Sequence, residues 1–435
     1  MTFPLTLLFM FLVFWRPQEW LIPWMFGWPL LSVVMYVALL SLIMEVSQGN
    51  ARLQKSPTIM LAAGLFIATL LSHVAHLYFQ GIINTVSPSF KFCFFTVLLL
   101  FVINSVERLR AVMLVFILAA VIMSIHVIME VKTGYGFAGA QPMWDYSVKN
   151  DLWIRRGCFF GIFADPNDTA QFLATSFPLV FAYPRRLTPI NFLMACGVGW
   201  LILMGMNGCY SRGGMIALGS VVMCIVFLKL PRRWVPYAGV TALVAGLVLC
   251  YAKGGVLMDF SARERVVFWG YANYVFKHNL LFGLGYGMFW QVAGDRAAHN
   301  AFVACHTELG LVGYWFWFSL MMLGVVGCWR VMGAFNRPRT GIQAYLKRAA
   351  GLSIASMVGF AAGGYFLSRA FVFPLFFLFG MLNVIPLIAK RYLPEDHPPL
   401  LNVSTDVFGT GTLTTLGSVV YIYLSILALN KSYGG

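Results

Sequence analysis

Charge is scarce in this chain of 435 residues: only 10% are Asp, Glu, Lys or Arg, and the acids number just 15. A water-soluble domain carries about 25% charged residues, so an ordinary globular enzyme is excluded. Cysteine is present without organisation. Cys93, Cys158, Cys196, Cys209, Cys224, Cys250, Cys305 and Cys328 form no CxxC pair and no Cys/His ligand spacing, which points to neither a disulfide frame nor a zinc site. A GxxxxGK[ST] loop and a strand–GxGxxG–helix unit are both missing, so nucleotide phosphates have no cradle. The first apolar run, Pro4 to Trp15, lacks the basic start and small-residue cleavage site of a secretory signal, and reads as a spanning helix.

What remains is apolar: 60% of the residues are hydrophobic and 16% aromatic. Runs of helical length fall near 4–15, 29–46, 57–79, 91–106, 111–130, 158–183, 190–207, 214–230, 235–252, 307–328, 349–367 and 370–389. They predict an all-α polytopic integral membrane protein of about twelve transmembrane helices, occupying 1–389. A long, partly helical loop, 253–306, separates the ninth and tenth spans, and a tail, 390–435, holds a weaker run at 411–429 that reads either as a thirteenth span or as a surface segment.

The net charge of +15 finds its explanation in topology rather than in nucleic acid. Sixteen of the thirty basic residues, from Arg52 and Lys55 to Lys390 and Arg391, fall in every second connection. That alternation assigns those connections and the N-terminus to the cytoplasmic side. The opposite face is expected to be poor in cations, yet it carries Arg155, Arg156, Arg212, Arg263, Arg265 and Arg369. Cations set against the topological bias mark function. Guanidinium forks match phosphate oxygens in pairs, so the set predicts an anion site, with a lipid pyrophosphate at the membrane surface as the fitting ligand.

One stretch organises the rest. His299-Asn300 stands where a polar loop ending in Asp295 and Arg296 gives way to a continuous apolar segment, Leu309 to Val326. Histidine can take and return a proton near neutral pH. The ordinary role of such a pair is a helix N-cap, and the neighbouring arginines argue for more. His306, seven residues on, reads as an interhelical contact. Ser261 with Glu264 reads as a capping box for a helix to about His278, with Arg263 and Arg265 near its positive end. Gly283-Leu284-Gly285 reads as a flexible turn, and Asp165-Pro166-Asn167-Asp168 as a break inside an apolar span, either kink or substrate contact. The stretch Trp15-Arg16-Pro17-Gln18-Glu19-Trp20 suggests no chemistry.

Three motifs together resemble the O-antigen ligase and polymerase superfamily of bacterial envelope glycosyltransferases: His299-Asn300 with Gly310-x-x-Gly313, Ser211-Arg212-Gly213-Gly214, and Arg265-x-x-x-Trp269 with Gly283-x-Gly285. Arg156 with Pro166-Asn167 is similar to a further element of that family, and Ile216 stands where many ligases have leucine. The resemblance covers roughly 150–390. It implies metal-independent, cofactor-free, inverting transfer of a glycan from undecaprenyl pyrophosphate at the periplasmic face of the inner membrane. The acceptor would be lipid A core in a ligase, another lipid-linked glycan in a polymerase, or a protein hydroxyl in related enzymes. On that reading His299 is the base, Arg265 and Arg212 hold the pyrophosphate, and Arg155, Arg156, Arg263, Asn300 and Arg369 are further substrate contacts. A flippase for lipid-linked sugars is the rival of another class, disfavoured because the polar groups gather at one face.

Overall fold

In a bilayer a backbone can satisfy its polar groups only within helices or closed barrels, and the apolar runs fold accordingly. The structure is a computed structural model that describes residues 1–49, 55–147, 151–231, 233–234, 237–241, 244–245, 248, 260–294 and 297–431. Its principal elements are α1 (Thr2–Trp15), α2 (Leu30–Ser47), α3 (Pro57–Val74), α4 (Phe79–Val102), α5 (Val106–Thr133), a hairpin of β1 (Met143–Ser147) and β2 (Leu152–Arg156), α6 (Pro166–Ala182), α7 (Pro189–Gly208), α8 (Arg212–Lys229), α9 (Phe260–His278), α10 (Ala301–Ala334), α11 (Gly341–Gly364), α12 (Phe373–Lys390) and α13 (Thr412–Lys431). Nine helical segments among the described residues are long and apolar enough to cross a membrane, one of them Val403–Asn430, which joins a π-helical turn to α13. The expected span at 235–252 lies largely outside the described residues.

At the centre stands α12, in which every residue from Pro374 to Pro386 is buried, as a helix apolar on all sides should be. Around it Phe9, Phe14, Phe95, Phe116 and Phe172 interlock with one another and with its own Phe377, with ring centroids between 3.7 and 6.3 Å. Such stacked and edge-on pairs fix helix positions beyond simple burial. By contrast α2 turns most of its apolar side chains outward.

The helices share two ends. At one, Arg391 donates to the Asn104 carbonyl (2.5 Å), Arg110 to that of Tyr183 (3.0 Å), and Arg185 pairs with Glu107 at 3.8 Å. This end gathers the basic connections. The other collects the last residue of α1, the β hairpin, the starts of α6, α8, α10 and α12, and α9.

Several boundaries differ from expectation. The helix expected at 91–106 begins at Phe79 and passes through Pro88. The Asp165–Asp168 stretch does not break a helix but starts one. Pro166 occupies the first position, where a missing N–H costs nothing, and the Asp165 carboxylate accepts from the Asn167 amide at 2.7 Å. Residues 143–147 and 152–156 pair as antiparallel strands that apolar periodicity did not signal. The chain around Arg16, φ +46, turns a short helix, Pro17–Trp20, against Gly161, and Trp20 stacks on Phe160 at 5.5 Å.

Candidate active site

The site is built from helix starts. Ser211 caps α8, its hydroxyl accepting from the Gly214 amide (3.1 Å) while donating to the Asn167 carboxamide (2.7 Å). The same Asn167 oxygen accepts from Arg156 (3.1 Å), whose Nε donates to the Cys209 carbonyl at 3.2 Å and whose NH1 pairs with Asp145 at 3.0 Å. Arg212 is the first residue of α8 and is exposed. Next to it, a Cβ on Gly213 would meet Phe366 at 3.5 Å. The arginine turn therefore touches both the start of α6 and the connection between α11 and α12.

That connection carries Ser368 and Arg369. Arg369 grips the Asp168 carboxylate with Nε (2.6 Å) and with NH2. Burial works against the Arg369 charge, but the hydrogen bond and charge of Asp168 raise its pKa above the ordinary guanidinium value. Ser368 accepts from the backbone amide of His299 at 2.6 Å. His299 adopts φ +48, a left-handed conformation rarely taken by residues other than glycine, and it is half-buried. Burial lowers its pKa, the positive charges of Arg265 and Arg369 lower it further, and Asp165 opposes them. The imidazole is thus held toward its neutral, proton-accepting form.

Beside it, Trp269 of α9 donates to the Ala298 carbonyl at 2.6 Å. This bond pins the 297–300 segment to α9 and brings Arg265, one turn earlier, to the same side. As expected, Val266 and Trp269 are buried, Phe268 packs partly buried against the core and α9 ends at His278, whereas Val267 is exposed. The described part of α9 starts at Phe260; the side chains of Ser261 and Arg263, and with them the expected capping box, lie outside the described residues, as do Asp295 and Arg296.

Not every expected contact gathers here. Asn300 is fully buried and is the cap of α10, its carboxamide oxygen accepting from Phe302 (3.0 Å) and Val303 (3.1 Å). The oxygen serves the helix start, while the amide nitrogen of the same side chain is buried without a hydrogen-bond partner. Arg155 and Arg156 occupy adjacent strand positions and so leave opposite faces. Arg155 stacks over Trp144 (5.2 Å) and reaches toward the Val131 carbonyl (3.5 Å), away from the Asn167 cluster. His306 is buried between α9 and α10, 4.6 Å from the Phe276 ring.

Gly283-Leu284-Gly285 has a different role from the one expected, while Gly310 admits a close backbone approach. The segment Leu309 to Val326 is not one helix, because Gly310 takes φ +63 and ψ −166. Into that break the Leu280–Gly285 segment inserts its backbone. Leu311 and Val312 donate to the Leu280 and Leu281 carbonyls (2.8 and 3.1 Å), while Leu284 and Gly285 donate to those of Thr307 and Glu308 (both 2.9 Å). A Cβ on Gly310 would lie 2.4 Å from the Leu281 carbonyl group, and one on Gly283 would lie 2.4 Å from that of Glu308. Gly283-Leu284-Gly285 is a hydrogen-bonded wedge, not a flexible turn. Broken helices at membrane depth need such partners for the freed backbone groups.

Sequence reasoning left Asp165 open between a kink and a substrate contact, and passed over Ser368. An acid directly before proline at a helix start is the legible sign for Asp165; Ser368 has no local signature. Among the described residues no group of three His, Cys, Asp or Glu side chains could hold a metal ion. The arrangement offers a proton acceptor under the charges of Arg265 and Arg369, the latter braced by the Asp168 carboxylate. The chain matches no protein-family model, and no curated protein matches it.

Proposed function

We propose that the protein is a membrane glycosyltransferase that moves a glycan from a lipid pyrophosphate, of the undecaprenyl type, to an acceptor hydroxyl. An O-antigen ligase acting on lipid A core is the preferred form, on the motif resemblance; a polymerase acting on a second lipid-linked glycan shares the same donor chemistry. The single observation that supports this reading is the electrostatic environment of His299, a half-buried imidazole under the joint influence of Arg265, Arg369 and Asp165 from three separate segments.

In this mechanism neutral His299 takes the proton of the acceptor hydroxyl as its oxygen attacks the anomeric carbon. The glycosyl–phosphate bond breaks on the opposite face, inverting the centre, and the lipid diphosphate leaves with the bonding pair. Arg265 and Arg212 stabilise the charge that grows on the leaving oxygen, the larger electrostatic contribution in reactions of this kind. Arg369 and Arg156, braced by Asp168 and by Asp145 and Asn167, shape and charge the surroundings. The topological bias of the basic connections favours a cytoplasmic location for their end and a periplasmic one for the site.

Purified protein in liposomes, given donor and acceptor in one leaflet, tests the reading. Product formation without translocation is expected. Movement of the lipid-linked sugar between leaflets with no glycan transferred would make the protein a flippase instead.

A further inference from the structure

The end of the bundle away from His299 carries two large clefts, and they differ in charge. One, of about 900 Å³, lies beside α1, α2 and the end of α4. Its Arg108 donates to the Val102 carbonyl (2.8 Å), its Arg391 to that of Asn104 (2.5 Å), and Glu45 also lines it. What sets this cleft apart is its Glu45 carboxylate, which pairs with the N-terminal ammonium and opposes an anion.

The second, of about 860 Å³, lies between α8, α10 and α11. Three cations line it, Lys229, Lys347 and Arg348, and no carboxylate does. Lys347 donates to the Asn336 carbonyl (2.9 Å), Arg348 hydrogen-bonds the Pro184 carbonyl, and the Arg348 Nε is buried without a partner. Among the described residues Lys229, the last residue of α8, has no acidic partner. The inner wall is apolar: Ile225 and Leu228 from α8, Trp329 and Met332 from α10, and Leu352 from α11. Gly351 is the narrow point, where a Cβ would meet the Met332 sulfur at 3.2 Å and Leu228 at 3.7 Å.

We propose that this cleft binds an anionic glycerophospholipid. Charge complementarity selects the occupant. Three cations without a carboxylate at the mouth suit a phosphate headgroup, and an apolar wall running inward suits acyl chains. Basic pockets between membrane helices on the cation-rich side take such headgroups. A zwitterionic lipid would bring its ammonium against Lys229 and Lys347, and a free phosphate would leave the apolar wall uncovered. Being at the opposite end of the helices from His299, the site stands independently of the reaction proposed above.

The test uses full-length protein in nanodiscs with phosphatidylglycerol and phosphatidylcholine in equal amounts, read by native mass spectrometry of lipids retained on release. The wild type should retain phosphatidylglycerol in preference, and Lys229→Gln/Lys347→Gln should lose that preference by about tenfold or more, since each juxtamembrane cation contributes on the order of a kilocalorie. Removing two cations elsewhere at the same end, Lys55→Gln/Lys390→Gln, should leave it unchanged. A photoactivatable phosphatidylglycerol on the wild type should cross-link within Ile225–Leu228 or at Leu352, and excess inorganic phosphate should not displace it. Equal retention of the two lipids, equal loss in both double variants, cross-links confined to other helices, or displacement by phosphate would each overturn the proposal.

Discussion

The backbone amide of His299 donates to the hydroxyl of Ser368 across 2.6 Å, tying the start of α10 to the connection that carries Arg369. His299 is held at φ +48, so the imidazole direction depends on a bond from another segment. Ser368→Ala removes that acceptor. An amide left unpaired costs about 1–3 kcal/mol, part of which the exposed side of the turn recovers through water. Glycan transfer should fall while donor binding stays near the wild-type value, and Ser368→Thr should restore most of the rate. Unchanged transfer in Ser368→Ala would mean that this bond does not orient the base.

The pH dependence of transfer has a defined sign. A general base works when unprotonated, and burial together with Arg265 and Arg369 lowers the His299 pKa. The acidic limb of the rate profile should therefore lie below the ordinary histidine value of about 6.5. Arg265→Gln removes a charge that lowers the pKa and should move the limb to higher pH, apart from any loss of rate. Asp165→Asn removes the charge that opposes it and should move the limb lower. A limb that stays fixed in both variants assigns the titration to another group.

The Arg369–Asp168 pair makes a separate demand on stability. Asp168 is 4% exposed and the Arg369 side chain 33%, so removing one partner of this half-buried pair costs on the order of 1–3 kcal/mol, less than a fully buried pair would. Arg369→Gln should lower the unfolding midpoint in detergent, and so should Asp168→Asn. The double variant should cost less than the sum of the two, because it leaves no lone charge. Simple additivity would show that the two side chains act separately.

Gly310→Ala should be among the most damaging single changes. A left-handed conformation costs a β-carbon residue about 1–3 kcal/mol, and here the new carbon would also stand 2.4 Å from the Leu281 carbonyl group. Gly283→Ala meets Glu308 in the same way. Both should expel the wedge, exposing backbone amides of Leu311 and Val312 to hydrogen exchange. Protection of those amides in either variant would show that the break survives a side chain.

Hydrophobic run length made most of the bundle legible, since a bilayer leaves a long apolar segment few alternatives to a helix. It failed where geometry, not composition, decides. The Gly310 break looks apolar on both sides, and only the backbone of Leu280–Gly285 explains it. Pro166 looked like an interruption, yet it begins a helix, whereas Pro88 lies inside one. At the site, the arginine turn and His299 stood out by type and spacing. The division of Arg155 from Arg156 depends on a strand that their apolar neighbours did not announce. Ser368 lies 69 residues from its partner, a distance that local pattern cannot bridge.

The most direct measurement is transfer and donor binding by His299→Ala in the same proteoliposomes. A diphosphate lipid held by guanidiniums, with proton removal assigned to one imidazole, predicts donor binding close to wild type and transfer reduced to background. Full transfer activity in that variant would contradict the assignment of the base, and with it the mechanism built around His299.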